Sequence, residues 1–239
     1  MEHSILKEFI QLILEEEEDL DNNNNNFVDA TRKVSGSKKP MIGGPFHKFD
    51  FQTFKQLKTY EERLKYLNST AKNIGEGSSR IAYIINPTQV LKIAINDSGF
   101  QQNRSETRVC KLDNGNKYFT KIYEVGPKYE WLLTDFAKPM TERAFQGITG
   151  VSWKQFQSAL YAGFESHTKS GATEQNKQDY QQLLNNPYFS KLFEIIKVCE
   201  YMPSDLSKLD SWGIVDGTAR IIDYGFTNDL QGKIQTTRV

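Results

Sequence analysis

Apolar and polar residues follow two different rhythms along the chain. Near the N-terminus, apolar residues recur at a helical period over Ile5–Leu14, which predicts a short amphipathic helix with Ser4 as its N-cap. Further along, Arg80–Ile85 and Gln89–Ile95 are rich in β-branched residues and are separated by an Asn-Pro-Thr turn. These two runs predict a β-hairpin.

The same two rhythms predict most of the remaining elements. Helices are expected around Tyr60–Ser69, Gln101–Leu112, Ser152–Phe164, Gln178–Leu184 and Tyr188–Tyr201. Strands are expected at Phe119–Val125 and Glu130–Phe136, and a final hairpin joins Ile214–Val215 to Arg220–Asp223 across Asp216-Gly217. The polar stretch Ser166–Glu174 is expected to be a loop. Four phenylalanines alternate with polar residues and are expected to dock on the core: Phe46, Phe49, Phe51 and Phe54.

These elements divide the chain into four segments and predict an α+β fold. Residues 1–20 form the amphipathic helix, and residues 21–45, rich in Asn and then in Ser, Gly, Lys and Pro, form a flexible linker. Residues 46–138 form a β-rich lobe. Residues 139–239 form a mainly helical lobe that ends in the hairpin.

Composition narrows the class of protein without naming a function. The chain has 239 residues, with 30 basic and 30 acidic side chains, so its zero formal charge argues against a globally basic nucleic-acid binder. Two cysteines, Cys110 and Cys199, exclude a disulfide scaffold. No apolar stretch is long enough to cross a bilayer, and the N-terminus lacks the features of a secretory signal. We therefore expect an intracellular protein without a membrane or nucleic-acid partner.

A glycine-containing segment is the first candidate for chemistry. It runs through Gly75, Glu76, Gly77, Ser78 and Ser79, between two β-like runs. Because glycine allows close backbone approach, successive amides in such a turn can face a phosphate group. The alternative is an ordinary hairpin that happens to contain glycine.

Three charged residues could complete a phosphate site. Lys92 lies between apolar residues on a predicted strand, Glu106 lies on the following helix, and Asp223 directly follows the apolar pair Ile221-Ile222. A lysine in that setting can neutralise phosphate charge, the glutamate can orient it, and a carboxylate at the end of a strand commonly holds magnesium. Taken singly, each could equally be a solvated charge or a turn residue.

The order of these features resembles the protein-kinase-like superfamily over residues 70–226. The resemblance implies ATP and Mg²⁺ as ligands, with Lys92 paired to Glu106 and holding phosphates. It implies that the backbone of the hinge residues receives adenine; these are Asp135, Phe136 and Ala137. It also implies that Asp205 positions or deprotonates the acceptor and that Asp223 and Asp210 bind the metal. Asp210 lies five residues after Asp205, the spacing of the metal-binding asparagine in the kinase catalytic loop, and the adjacent Ser211 is the alternative for that position.

Three departures from the kinase pattern bear on whether the protein is catalytically active. Arg80 stands where the third glycine of the loop is expected, and Met202-Pro203-Ser204 replaces the usual His-Arg before Asp205. The sequence also ends soon after Asp223, so we expect the activation segment and later helices of that lobe to be missing. A catalytically inactive pseudokinase is therefore the alternative to a phosphotransferase.

A narrower resemblance is to small kinase-like proteins of tailed bacteriophages. It rests on Gly75-Glu-Gly-Ser-Ser-Arg, Trp131-Leu-Leu-Thr-Asp-Phe and Ser211-Trp-Gly-Ile-Val-Asp-Gly. Near the N-terminus, Ile13-Leu14-Glu15 is similar to the sites that prohead proteases cleave. This implies a protein of the host cytoplasm that can be packaged in the virion, with a capsid or host protein as partner. The alternative is that the helix docks on its own chain or on another protein.

Overall fold

The computed structural model describes residues 49–113, 117–163, 172–199 and 203–224. The predicted N-terminal helix, the linker and the Ile13-Leu14-Glu15 triplet lie outside the described residues. Phe46, the first of the four alternating phenylalanines, lies outside them as well.

The first part of the described chain is built around strands. Two helices come first, α1 (Phe51–Gln56) and α2 (Tyr60–Thr70). They are followed by β1 (Lys72–Glu76), β2 (Arg80–Asn86), β3 (Gln89–Ala94), α3 (Asp97–Leu112), β4 (Ile122–Val125), a 3₁₀ turn (Pro127–Tyr129) and β5 (Trp131–Asp135). The five strands form an antiparallel sheet in the order β1-β2-β3-β5-β4.

The second part is mainly helical. It begins with β6 (Lys138–Pro139) and continues with α4 (Glu142–Thr149), α5 (Trp153–Gly163), α6 (Glu174–Leu184), α7 (Pro187–Val198) and α8 (Pro203–Leu206). A 3₁₀ turn (Leu209–Ser211) leads into β7 (Trp212–Val215) and β8 (Thr218–Ile221). The last three strands form a small antiparallel sheet in the order β6-β7-β8.

Each part has its own hydrophobic core. In the sheet part, Phe54 and Leu67 pack on the buried face of the sheet, and Phe49 and Phe51 lie partly buried against them. The expectation that these phenylalanines dock on the core is thus confirmed for the three that are described. In the helical part, aromatic side chains of α4 and α5 contact the fully buried Trp212, and Phe189 of α7 packs against Phe145 and Phe156.

Backbone hydrogen bonds join the two parts. The segment before β4 runs alongside β8: the Thr120 N–H donates to the Ile221 carbonyl at 3.1 Å, and the Ile221 N–H donates to the Tyr118 carbonyl at 2.8 Å. Phe119 and Ile221 form an isolated parallel bridge. The end of β8 is therefore held against the sheet part, and this contact fixes the residues that follow it.

The predicted α+β class, with a β-rich first part and a mainly helical second part, is confirmed. Helices α3 and α6 begin earlier than predicted, because Asn96 and Thr173 cap them through side-chain oxygens. Strand β4 begins at Ile122 instead of Phe119, since the residues before it pair with β8. β6 crosses the boundary placed between residues 138 and 139, and that boundary stays a prediction. No helix of the described ranges is long and apolar enough to span a bilayer.

Candidate functional site

Lys92 and Glu106 form the buried centre of the candidate site. Lys92 lies in the middle of β3 between Leu91 and Ile93, and its side chain is 12% exposed. Its Nζ donates to Glu106 Oε2 at 2.7 Å. Glu106 lies on α3 and is fully buried. The predicted ion pair is confirmed, while its role toward a nucleotide stays a prediction.

The ammonium group of Lys92 also reaches the end of the chain's last strand. Nζ donates to the Ile222 carbonyl at 2.7 Å and lies 5.6 Å from the centre of the Tyr224 ring. Burial lowers the pKa of Lys92, and the nearby Arg80 charge adds to this, against the opposing effect of Glu106. Two of the three ammonium protons have acceptors among the described residues, so the group is fixed in place from both parts of the fold.

Arg80 extends this pair into a four-member network. It lies at the start of β2 with an 11% exposed side chain, and its Nη1 is 2.7 Å from Glu106 Oε1. Its Nη2 donates to Asp223 Oδ1 at 2.8 Å. Burial alone would lower the pKa of Arg80, but the carboxylates of Glu106 and Asp223 outweigh it and raise that pKa. Charges therefore alternate along Lys92, Glu106, Arg80 and Asp223.

No functional role was predicted for Arg80, which stood out in the sequence only as a departure from the glycine pattern. One signal was available: Arg80 and Lys92 lie on adjacent strands of the predicted hairpin, at positions twelve residues apart in sequence. In the observed register Arg80 is opposite Ala94, and Lys92 is opposite Ala82. Ala82, the residue opposite Lys92, lies two positions after Arg80 on the same strand. Because side chains two positions apart point to the same face of a sheet, Arg80 and Lys92 share one face.

Asp223 is presented by an aromatic anchor. The next residue, Tyr224, is fully buried; its hydroxyl donates to the Thr120 carbonyl at 2.9 Å, and its ring lies 4.8 Å from that of Phe119. Asp223 itself has a 55% exposed side chain. The anchor holds the backbone while the carboxylate stays accessible to solvent.

The glycine segment is more strand than loop. Gly75 and Glu76 belong to β1, so only Gly77, Ser78 and Ser79 make the turn to β2. This corrects the expectation that both glycines lie on the turn. The physical reason is the β1–β2 pairing, in which Glu76 is opposite Ile81 and a register shift occurs between Asn73 and Gly75.

The turn is attached to its own surroundings by polar contacts. The Gly77 N–H donates to the Arg80 carbonyl at 2.9 Å, and the buried Ser79 hydroxyl donates to Gln102 Oε1 at 2.7 Å. Asn96 donates from its side chain to the Ser78 carbonyl. The Gly77 amide, the Ser79 hydroxyl and the Asn96 side chain therefore donate to groups of the protein itself. They do not form the predicted row of donors directed at a phosphate.

The hinge residues are also engaged within the protein. The Asp135 N–H donates to the Lys121 carbonyl at 3.1 Å, and the Phe136 N–H donates to the Thr88 carbonyl at 2.7 Å. The Asp135 carboxylate accepts from the Tyr123 hydroxyl at 2.7 Å and raises the pKa of Tyr123 to about 12. Adenine recognition by the amides of Asp135 and Phe136 would need these bonds to be replaced; recognition at residues 135–137 stays a prediction.

The remaining candidate carboxylates surround Lys208. Asp205 lies in α8, and its Oδ1 accepts from Lys208 Nζ at 2.7 Å. This hydrogen bond raises the pKa of Lys208, and the charges of Asp205, Asp210 and Asp223 add to the effect. The Ile222 N–H donates to the Ser211 carbonyl at 2.8 Å, which brings the neighbours Asp210 and Asp223 to the same end of the β7–β8 hairpin. The structure thus gathers all three aspartates at one edge of the site.

The carboxylates of the described residues do not form a preassembled magnesium site. Mg²⁺ prefers an octahedron of oxygen ligands, but one oxygen of Asp223 is in contact with the Arg80 guanidinium. Within the described residues, no three acidic, histidine or cysteine side chains are grouped to hold a metal. The expected metal ligands Asp223 and Asp210 are near each other, but the cation in contact with Asp223 is the guanidinium of Arg80.

Comparison with known proteins adds distant structural neighbours. No family model and no curated protein matches the chain. Among solved structures, the streptomycin–ATP ternary complex of APH(2″)-IIa is 12% identical, with a TM-score of 0.34 and 71% of this chain and 72% of that chain covered. The ADP-bound aminoglycoside phosphotransferase APH(2″)-Ib is 13% identical, with a TM-score of 0.35 and coverages of 70% and 71%. These similarities are too low to assign a function to this chain.

Proposed function

We propose that this chain is a kinase-like protein that binds ATP in the cleft beside Lys92. The observation that carries the proposal is the buried lysine on β3, fixed by Glu106 on one side and by the Ile222 carbonyl on the other. A buried ammonium held between a sheet and the residue before an exposed aspartate is suited to hold phosphate oxygens. A purely structural ion pair has no need of a lysine tied to both parts of the fold.

Binding of ATP without phosphoryl transfer is the second candidate, and the state of the carboxylates favours it. Asp205, the expected acceptor-positioning residue, is engaged by Lys208, and Asp223 is engaged by Arg80. A carboxylate must be able to accept a proton from, or orient, an acceptor hydroxyl in order to assist transfer. A pseudokinase that uses the nucleotide for structure or for partner binding is consistent with carboxylates that are already paired.

A thermal-shift measurement with ATP tests the binding proposal. A ligand at a hundred times its dissociation constant stabilises a protein by about 2.7 kcal/mol, which raises Tm by about 5–10 °C for a domain of this size. We expect this shift in the wild type and its loss in Lys92→Met. Lys191→Met is the matched control, because Lys191 is about half exposed and pairs with Glu194 in α7. Absence of a shift in the wild type would refute ATP binding.

Labelled-phosphate transfer separates the two candidate functions. Transfer that occurs in the wild type and disappears in Asp223→Ala would reject the pseudokinase alternative. Retention of the ATP-induced Tm shift with no transfer to any protein or small-molecule acceptor tested would favour it.

The bacteriophage role is proposed on the sequence resemblance alone. It includes packaging in the virion, cleavage after Glu15 and a capsid or host partner. Mass spectrometry of purified virions tests it. A chain that lacks residues 1–15 supports processing, and a chain with an intact Met1 terminus in virions excludes processing. Absence of the chain from virions excludes packaging.

A further inference from the structure

We propose that ATP binds this site without a divalent cation, because Arg80 supplies the positive charge beside Asp223. The inference rests on the proposed ATP binding and specifies how its phosphates are neutralised. It starts from the disagreement between the expected magnesium site and the residues found there. A guanidinium, and not an open set of oxygen ligands, lies against the carboxylate that would hold the metal.

Arg80 is positioned as firmly as the lysine it accompanies. Its carbonyl accepts from the Gly77 N–H, and its Nη1 lies 3.2 Å from Asn103 Oδ1. Asn103 is fully buried and donates from Nδ2 to the Tyr129 carbonyl at 2.8 Å. The guanidinium is therefore held from both β2 and α3, and arginine stays charged at any pH at which the fold exists.

The charge count changes with this one residue. Lys92, Glu106 and Asp223 together carry one negative charge, and Arg80 brings the group to zero. Asp205, Asp210 and Lys208 at the edge of the site add one further negative charge. Arg80 therefore lowers the net charge of the whole site from two negative charges to one, which reduces its repulsion of a polyphosphate. The guanidinium can also donate a charge-assisted hydrogen bond to a phosphate oxygen, and Nη2 is the nitrogen whose present partner, Asp223, is replaceable.

The two carboxylates that hold Arg80 differ in whether they can be replaced. Glu106 is fully buried and also serves Lys92, so its contacts are fixed. Asp223 has a 55% exposed side chain, so its carboxylate can turn to solvent when a phosphate arrives. We therefore assign Asp223 as a placeholder anion. A phosphate oxygen would replace the Asp223 carboxylate as the partner of Arg80 Nη2. This exchange forms and breaks no covalent bond.

The test is ATP affinity measured by calorimetry in EDTA and in Mg²⁺. We expect the wild type to bind ATP in EDTA within about threefold of its affinity in Mg²⁺. Arg80→Met keeps most of the side chain's length and removes its charge, and it should weaken binding in EDTA by about 10- to 100-fold, the cost of one charge-assisted hydrogen bond. Arg143→Met, an exposed position on α4, is the matched control and should bind as the wild type does.

Two further controls keep the result interpretable. Circular dichroism and apo-protein Tm verify that Arg80→Met is folded, and Arg80→Lys retains the charge and should retain most of the affinity in EDTA. Wild-type binding that requires Mg²⁺ would overturn this inference and leave ATP binding intact. Absence of binding under both conditions would overturn both. Full affinity of folded Arg80→Met in EDTA would also refute the role of Arg80.

Discussion

The two sides of the candidate site are built differently. On the sheet side, Lys92, Glu106 and Arg80 lie on regular elements, and their side chains are nearly or fully buried. On the helical side, Asp205 and Asp223 lie on a four-residue helix and after the end of a strand, with side chains 31% and 55% exposed. One side holds its charges in fixed positions, and the other presents charges that solvent and counterions can reach.

This difference predicts where charge matters for stability and where it does not. A buried charge that loses its partner keeps its full desolvation cost, whereas an exposed ion pair is worth little because water replaces the partner. The sheet side should therefore behave as part of the folded core. On the helical side, loss of a single charge should change the free energy of unfolding little. It should instead change the affinity for a ligand.

Removing the charge of Glu106 should have the largest effect on stability. Glu106→Gln leaves Lys92 and Arg80 buried with one carboxylate fewer, which is expected to cost about 3–5 kcal/mol in the free energy of unfolding. Urea denaturation followed by circular dichroism measures it. Glu194→Gln, which removes the partner of the exposed Lys191, is the control and should change that free energy by less than about 1 kcal/mol. Equal effects of the two changes would contradict the distinction between the sides.

Adding one methyl group at Gly99 should have an intermediate effect. A Cβ there would clash with the Ser79 carbonyl oxygen and lie 2.9 Å from the Ala94 Cβ, so α3 and the β1–β2 turn would have to separate. Gly99→Ala is expected to lower the free energy of unfolding by about 1–3 kcal/mol, as overpacking does. Thermal denaturation measures it.

Gly77→Ala is the matched control for that substitution. At Gly77 the added Cβ would meet only the Arg80 carbonyl, at 3.7 Å, which is ordinary van der Waals contact. We expect little change in Tm. A larger loss at Gly77 than at Gly99 would mean that the glycine of the turn, and not the packing of α3 against it, positions this edge of the site.

Removing the charge of Asp205 should have the smallest effect on stability. Its pair with Lys208 joins side chains that are 31% and 57% exposed, so Asp205→Asn is expected to change the free energy of unfolding by less than about 1 kcal/mol. Urea denaturation of this variant beside Lys208→Met checks it. A loss as large as that of Glu106→Gln would show that the helical side is as dependent on its charges as the sheet side.

The hairpin of β2 and β3 could be predicted because it follows from a local pattern, two runs rich in β-branched residues separated by a turn. The class of fold could be predicted for the same reason. The N-caps at Asn96 and Thr173 also follow a local rule, the preference for side-chain oxygens at the start of a helix. These helix starts were still missed, because the residues after each cap are polar and show no helical apolar period. The pairing of Lys92 with Glu106 was implied by the resemblance to kinase-like proteins, since the residues alone allowed Glu106 to be a solvated charge.

The parts that were missed depend on contacts between distant residues. β1 was not assigned because its residues are mostly polar and exposed, so only pairing with β2 makes it a strand. Arg80 carries no sign in the sequence that it will reach Asp223, since their separation of 143 residues is bridged only by the complete fold. The inward direction of the Asp135 and Phe136 amides likewise depends on neighbours at Lys121 and Thr88.

The long separation within the charged network also sets when the site can form during folding. Lys92 reaches a carbonyl 130 residues further along the chain, and Tyr224 bonds to Thr120 across 104 residues. Closing loops of this length costs entropy that only late contacts repay. On a ribosome, the strands of the sheet can pair before the aspartates are synthesised, but the charged network is complete only after Tyr224 has emerged. The proposed ATP binding would therefore appear only at the last stage of folding.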